Sequence, residues 1–148
     1  EPDLPGRGPG RAGAGGEAVK SRSGNGRPAT VLCIDDSPES RALISRLLEN
    51  EGCRVLTCKN GVRGLEAAER SDPDLILLDL ALPFMDGYET ANRLKALLAE
   101  EGRDVPVLAV SILSSPEDRD MALAAGCDGF IAKPLDADRF AEEIFAYH

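Results

Sequence analysis

Residues 75–89 read LILLDLALPFMDGYE, and this stretch decides the fold. Leu75 to Leu78 form an unbroken apolar run that ends on Asp79. A run this short, apolar on both alternating faces, fits a strand covered by helices above and below. Further on, Asp86 and Glu89 have the spacing of a capping box, which opens a helix through about Leu98. A strand that ends on a carboxylate and leads through a loop to a capped helix is one beta-alpha unit of a parallel sheet.

The same pattern recurs on both sides. Val31 to Ile34 and Val107 to Val110 are equally apolar runs, and Arg54 to Cys58 and Gly129 to Ala132 read as weaker strands. Between the first two strands, Ser37 is the expected N-cap and Pro38 the first helical residue, with Leu43, Ile44, Leu47 and Leu48 on one face and Gly52 as the stop. A shorter helix fits Gly61 to Glu69, and Ser115, Pro116 and Asp118 open another that Gly126 closes. Asp136 is the expected cap of the last helix, with Phe140 and Ile144 facing inward. The spacing predicts an α/β fold, a doubly wound five-stranded parallel sheet with five helices. Such sheets place their site at the C-terminal ends of the strands, where chain order reverses.

Residues 1–29 have a different composition, with eight of the 15 glycines and four of the 10 prolines and few large apolar side chains. They read as a flexible Gly/Pro/Arg-rich tail or linker ahead of a domain spanning 30–148. That segment holds five basic and three acidic residues, which leaves 12 basic against 23 acidic, a net charge of −11, for the remainder. A surface of that sign repels a phosphate backbone, so direct nucleic-acid binding is not expected. No stretch is long and apolar enough for a membrane span, and no signal-like run opens the chain, so a cytoplasmic protein without membrane contact is expected. Cys33, Cys53, Cys58 and Cys127 lack zinc-like spacing and read as reduced structural thiols, although Cys33 and Cys58 fall on strands expected to be neighbours.

The residues at the predicted strand ends are Asp35 and Asp36, Asp79, Ser111, and Lys133 followed by Pro134. A parallel sheet brings them to one edge. Three carboxylates there repel one another unless a cation neutralises them, and all-oxygen ligation without His or Cys suits Mg²⁺, with Mn²⁺ as an alternative. Mg²⁺ prefers a site shared between carboxylates and phosphate, both of which ligate it. With Lys133 pairing to phosphoryl oxygens and Ser111 donating a hydrogen bond, Asp79 is the carboxylate best placed as nucleophile. Each residue has a plainer reading when taken singly, as a turn residue, a helix-terminal acid or a core side chain; the combination at the strand ends is what points to a site.

VLCIDDS, LILLDLALPFMDGYE, PVLAVS and FIAKP, in this order and spacing, resemble the receiver domain of two-component response regulators and hybrid histidine kinases, from about Thr30 onward. The resemblance implies a flavodoxin-like sheet of order 2-1-3-4-5. It makes Asp79 the phosphoacceptor, Asp35 and Asp36 the metal-binding pair, Ala81 a metal ligand through its backbone carbonyl, and Lys133 the phosphate-pairing lysine. Ser111 becomes the switching hydroxyl and Phe130 the aromatic that turns inward. A cis peptide before Pro134 is also implied. The implied role is a phosphorelay switch, not an enzyme with its own substrate, which takes phosphoryl from a histidine kinase or histidine phosphotransfer domain docked near Pro38, Arg41, Ala42 and Ser45. It then controls an unknown output partner as a monomer or a phosphorylation-dependent dimer.

Three features depart from the family pattern. Ile112 stands where a small residue is frequent, and Ala81 and Leu113 offer no polar group to orient an attacking water, which together suggest slow hydrolysis. Phe84 stands where Gly is frequent, as a partner contact or a loop-packing residue. A haloacid-dehalogenase-like phosphatase is a weaker alternative, because it expects a second aspartate where Ala81 stands; an unphosphorylated pseudo-receiver normally loses part of a site retained here. His148, the only histidine, reads as a surface residue rather than a phosphodonor. The start at Glu1 without methionine and the linker favour the C-terminal receiver of a hybrid histidine kinase over a stand-alone receiver.

Overall fold

A computed structural model describes residues 27–83 and 85–147. Most of the expected tail, Phe84 and His148 therefore lie outside the described residues. In chain order the elements are β1 (Thr30–Ile34), α1 (Pro38–Glu49), β2 (Arg54–Cys58), α2 (Gly61–Ser71), β3 (Leu75–Leu78), α3 (Gly87–Glu100), β4 (Val107–Ser111), α4 (Pro116–Ala124), β5 (Gly129–Ala132) and α5 (Phe140–Phe145). The strands form one parallel sheet of order β2-β1-β3-β4-β5, the expected one.

Alternation along the central strands sorts the core into two layers. Leu32, Ile34, Ile76, Leu78, Val107 and Ala109 face Ala68 of α2, Ala91, Leu94 and Leu98 of α3, and Ala122 of α4. Val31, Cys33, Leu75, Leu77, Leu108 and Val110 face Ile44 and Leu48 of α1 and Phe140, Ile144 and Phe145 of α5. Helices on both faces explain why β1, β3 and β4 read as continuous apolar runs. The layering also separates two thiols. Cys33 belongs to the α1/α5 layer and Cys58 packs against the other, so their neighbouring strands do not make them partners.

The helix starts follow their caps, with two corrections. Ser37, Asn60, Asp86 and Ser115 each accept a hydrogen bond from a first-turn backbone N–H, and Ser115 with Asp118 completes a reciprocal capping box. At α3 the expected box is half made: Asp86 accepts from the Glu89 N–H, but the Glu89 carboxylate pairs with Arg93 one turn on. Asp136 does not cap α5. Its carboxylate accepts from the Asp138 N–H and its carbonyl from Arg139 and Phe140, so it organises the turn before a helix that has no side-chain cap.

Candidate functional site

Chain order reverses at β1, which pairs with β2 on one side and β3 on the other. The C-terminal ends of β1 and β3 therefore frame a crevice. Hydrogen bonding of the sheet type continues past the strands and sets the residues beyond them. Asp35 donates its N–H to Cys58 O at 2.9 Å, Asp79 to Ile34 O at 2.9 Å, and Lys133 to Ser111 O at 3.0 Å. Three side chains that are far apart in sequence are thus mounted on one rigid edge.

Asp35, Asp36 and Asp79 each offer a carboxylate oxygen, all within 4.8 Å of one another. Asp35 and Asp79 are buried and Asp36 is exposed, so the cluster opens toward solvent on one side. Asp35 is tightly fixed. Its Oδ1 accepts the Ser37 N–H at 2.9 Å and its Oδ2 accepts from Lys133 Nζ at 2.8 Å, while Arg41 donates to its carbonyl at 2.7 Å. Asp79 Oδ1 accepts the Ala81 N–H at 3.0 Å, and its Oδ2 lies 3.5 Å from Lys133 Nζ. The third contact of the ammonium is Ser40 Oγ at 3.1 Å.

Burial raises the Asp79 carboxyl above its usual range; the Ala81 N–H and Lys133 oppose this and the Asp35 charge adds to it. Burial pulls the Lys133 ammonium down, but the hydrogen bond to Asp35 and the charges of Asp79 and Asp35 outweigh it and hold its pKa up. The site is a partly compensated anionic pocket with one fixed cation.

The family model of the response regulator receiver domain matches residues 31–145. The chain belongs to that family. This receiver is 33% identical over 120 residues to the polar-differentiation response regulator DivK of Brucella anthropi, covering 81% of this chain and 96% of DivK. Among solved structures, the Vibrio cholerae chemotaxis protein CheY4 is 28% identical with a TM-score of 0.72, covering 78% of this chain and 94% of CheY4. The receiver domain of the sensor histidine kinase PA1611 from Pseudomonas aeruginosa is 30% identical with a TM-score of 0.68, covering 80% of this chain and 98% of that domain; it is described with a magnesium ion coordinated in its active site cleft.

The residues of this receiver fit a hard divalent cation. The donors that converge are all carboxylate oxygens, one of the three residues is open to solvent, and Asp35 and Asp79 retain lone pairs beyond those already engaged. The remaining predicted residues are less gathered. Ser111 is the last residue of β4, paired with Ala132, and not a residue after the strand. Its fully buried hydroxyl accepts the Leu113 N–H at 3.1 Å. Phe130 on β5 packs partly buried beside the α2/α3/α4 core layer, with the Arg119 guanidinium 4.8 Å from its ring centre, a cation–π contact. The Lys133–Pro134 peptide is cis.

Sequence reading missed two residues that shape the site and one contact of a third. Ser40 lies on the inward stripe of α1 with Ile44 and Leu48, at i, i+4 and i+8; a hydroxyl there, near the strand ends, was the available signal. Gly87 presses the start of α3 against the backbone of the loop that follows Asp79. A Cβ on it would stand 2.2 Å from Leu80 Cα and 2.7 Å from the Asp79 carbonyl oxygen. Arg41, expected on a docking surface, is half-buried and also donates to the Asp35 carbonyl.

Proposed function

We propose that this receiver accepts a phosphoryl group on Asp79 from a phosphohistidine. The single observation that carries this reading is the convergence of Asp35, Asp36, Asp79 and Lys133 in the β1/β3 crevice, with the Lys133 ammonium paired more closely to Asp35 than to Asp79. In the reaction an Asp79 carboxylate oxygen forms the new O–P bond as the N–P bond to the donor imidazole breaks, and the imidazole takes up a proton. Asp35, Asp36 and the Ala81 carbonyl, with Asp79, are the ligands for Mg²⁺, or Mn²⁺ in its place, which when bound draws charge from the transferring group. Lys133 orients the phosphoryl oxygens. Ser111 donates to them once its loop shifts, and Phe130 moves inward, which alters the surface of α4, β5 and α5 for an output partner.

The donor is a histidine kinase or phosphotransfer domain. Exposed Pro38 and Ala42 and half-buried Ser45 on α1 are available beside the crevice to meet it. Placement at the end of a hybrid kinase is part of this reading; the likeness to the receiver of a sensor histidine kinase fits it, the likeness to DivK over 96% of that protein fits a stand-alone regulator, and the length of the full gene product decides between them. Phosphotransfer from such a donor places the work of this receiver in the cytoplasm, and among the described residues no helix is long and apolar enough to cross a membrane. The deciding experiment is phosphotransfer profiling of the chain and of Asp79→Asn, with Mg²⁺ present or chelated. Labelling is expected only in the wild type with Mg²⁺, and labelling that survives in Asp79→Asn overturns the assignment.

A further inference from the structure

We propose that Ser40 is a positioning residue that holds the Lys133 ammonium away from Asp79 and so keeps a carboxylate oxygen free for phosphoryl transfer. The inference rests on Asp79 being the phosphoacceptor and assigns a role to a residue outside the expected set. An ammonium has three N–H donors and no acceptor. For Lys133, whose side chain is 12% exposed, the partners are Asp35 Oδ2 at 2.8 Å, Ser40 Oγ at 3.1 Å and Asp79 Oδ2 at 3.5 Å. The first two contacts have ordinary hydrogen-bond lengths, whereas the third is longer than the usual range. Asp35 and Ser40 therefore place the ammonium, and the third N–H is aimed loosely at the region of Asp79.

Both anchors are themselves fixed. Asp35 is held by the Ser37 N–H and by Arg41. The Ser40 backbone N–H donates to the Ser37 side chain in the first turn of α1, so its hydroxyl projects from a capped, preset turn. Removing the Ser40 hydroxyl leaves a shielded N–H without its acceptor. Because an unpaired buried donor is costly, the ammonium is expected to turn toward the nearest remaining acceptor, the Asp79 carboxylate. A short ion pair at that point ties up the oxygen that must attack phosphorus and makes the nucleophile less reactive.

The test compares the full chain with Ser40→Ala and Ser40→Thr. Alanine favours the helix and leaves the Ser37 cap intact, so α1 is retained. Two readouts are needed. The first is the ¹H–¹⁵N correlation of the Lys133 ammonium, identified by its loss in Lys133→Arg: it should shift or broaden in Ser40→Ala and return in Ser40→Thr. The second is labelling by acetyl phosphate with saturating Mg²⁺, where Ser40→Ala should be slower by about tenfold, the low end of what one lost hydrogen bond to a charged group is worth, with Ser40→Thr within about twofold of wild type. An unchanged ammonium signal in Ser40→Ala, or Ser40→Thr as slow as Ser40→Ala, overturns the proposal. A wild type that takes no label from any donor, with the ammonium signal still dependent on Ser40, would instead overturn Asp79 as phosphoacceptor and leave only the anchoring of Lys133.

Discussion

The Lys133 ammonium stands 3.5 Å from Asp79 and makes its short ion pair with Asp35 instead. The Asp79 charge is thus buried with incomplete compensation, and burial raises its pKa. An acid whose pKa is raised on folding is easier to protonate in the native state, so keeping it ionised costs stability above the folded pKa; the cost is absent below the unfolded value of about 3.9. In metal-free buffer at neutral pH, Asp79→Asn is expected to be more stable than wild type by about 1 kcal/mol, a rise in Tm of roughly 3–6 °C. The gain should vanish as pH falls toward 4. Thermal unfolding followed by circular dichroism from pH 4 to 8 reads this, and a variant less stable at pH 7 would mean that the Lys133 contact outweighs burial.

Mg²⁺ should act in the opposite sense. A cation that binds the native acidic cluster and not the unfolded chain raises Tm with concentration. Wild type is expected to gain in a Mg²⁺ titration, while Asp36→Asn and Asp79→Asn gain less because each removes a charged ligand from the cluster. Equal Tm increments in all three proteins would place the ion elsewhere.

Gly87 allows α3 to start against the loop that carries Asp79. A methyl group there meets backbone atoms, Leu80 Cα and the Asp79 carbonyl, which cannot turn aside as a side chain can. Gly87→Ala should therefore destabilise by about 1–3 kcal/mol, the usual cost of overpacking, and also slow labelling of Asp79 by displacing its backbone. Denaturant midpoint and labelling rate should both fall. A stable variant with normal labelling would show that the close approach has slack.

Legibility differed between the sheet and its fittings for a physical reason. β2, β3 and β5 matched their runs because burial on both faces, or sheet pairing at an edge, imposes a composition that local sequence displays. Asp35, Asp36, Asp79 and Lys133 were legible because parallel topology brings strand ends together whatever the side chains do. Ser40, Gly87 and the bond from Arg41 to the Asp35 carbonyl were not, since each depends on a contact between elements whose distance no one-dimensional pattern encodes. Asp136 misled for a related reason: its spacing from Phe140 suits a cap, but an extra turn intervenes before α5 begins.

The thiols give a check on the layering. Burial pushes Cys33 and Cys53 up to about 12 and Cys127 up to about 11, so near pH 8 all three remain protonated and shielded in the native protein. Cys58 is only half-buried on the edge strand β2 and should be the first to react with a disulfide reagent. One fast thiol in the folded chain and four after denaturation is the expected count. Rapid reaction of Cys33 would mean that the α1/α5 layer opens readily.

The lifetime of the proposed phosphoaspartate turns on which side chains can steer water. Ala81 carries only a methyl group, and Leu113 and Ile112 are 39% and 69% exposed hydrocarbon after β4. Nothing polar at these positions can hold an attacking water, and a half-life of seconds in Mg²⁺, measured by radiolabel decay, would contradict the slow loss this implies. Two variants separate the causes. Ala81→Asn supplies a hydrogen-bonding group without removing the backbone carbonyl and should hasten loss by about tenfold, less than the roughly 10²-fold of a positioned acid or base because an amide orients water without taking its proton. Ile112→Ala acts only through crowding, and a side chain that is mostly in solvent has little reason to obstruct the crevice, so its effect should be the smaller. If Ile112→Ala is instead the faster of the two, steric closure of the site governs the lifetime, and the isoleucine must fold over Asp79 once the phosphoryl group is in place.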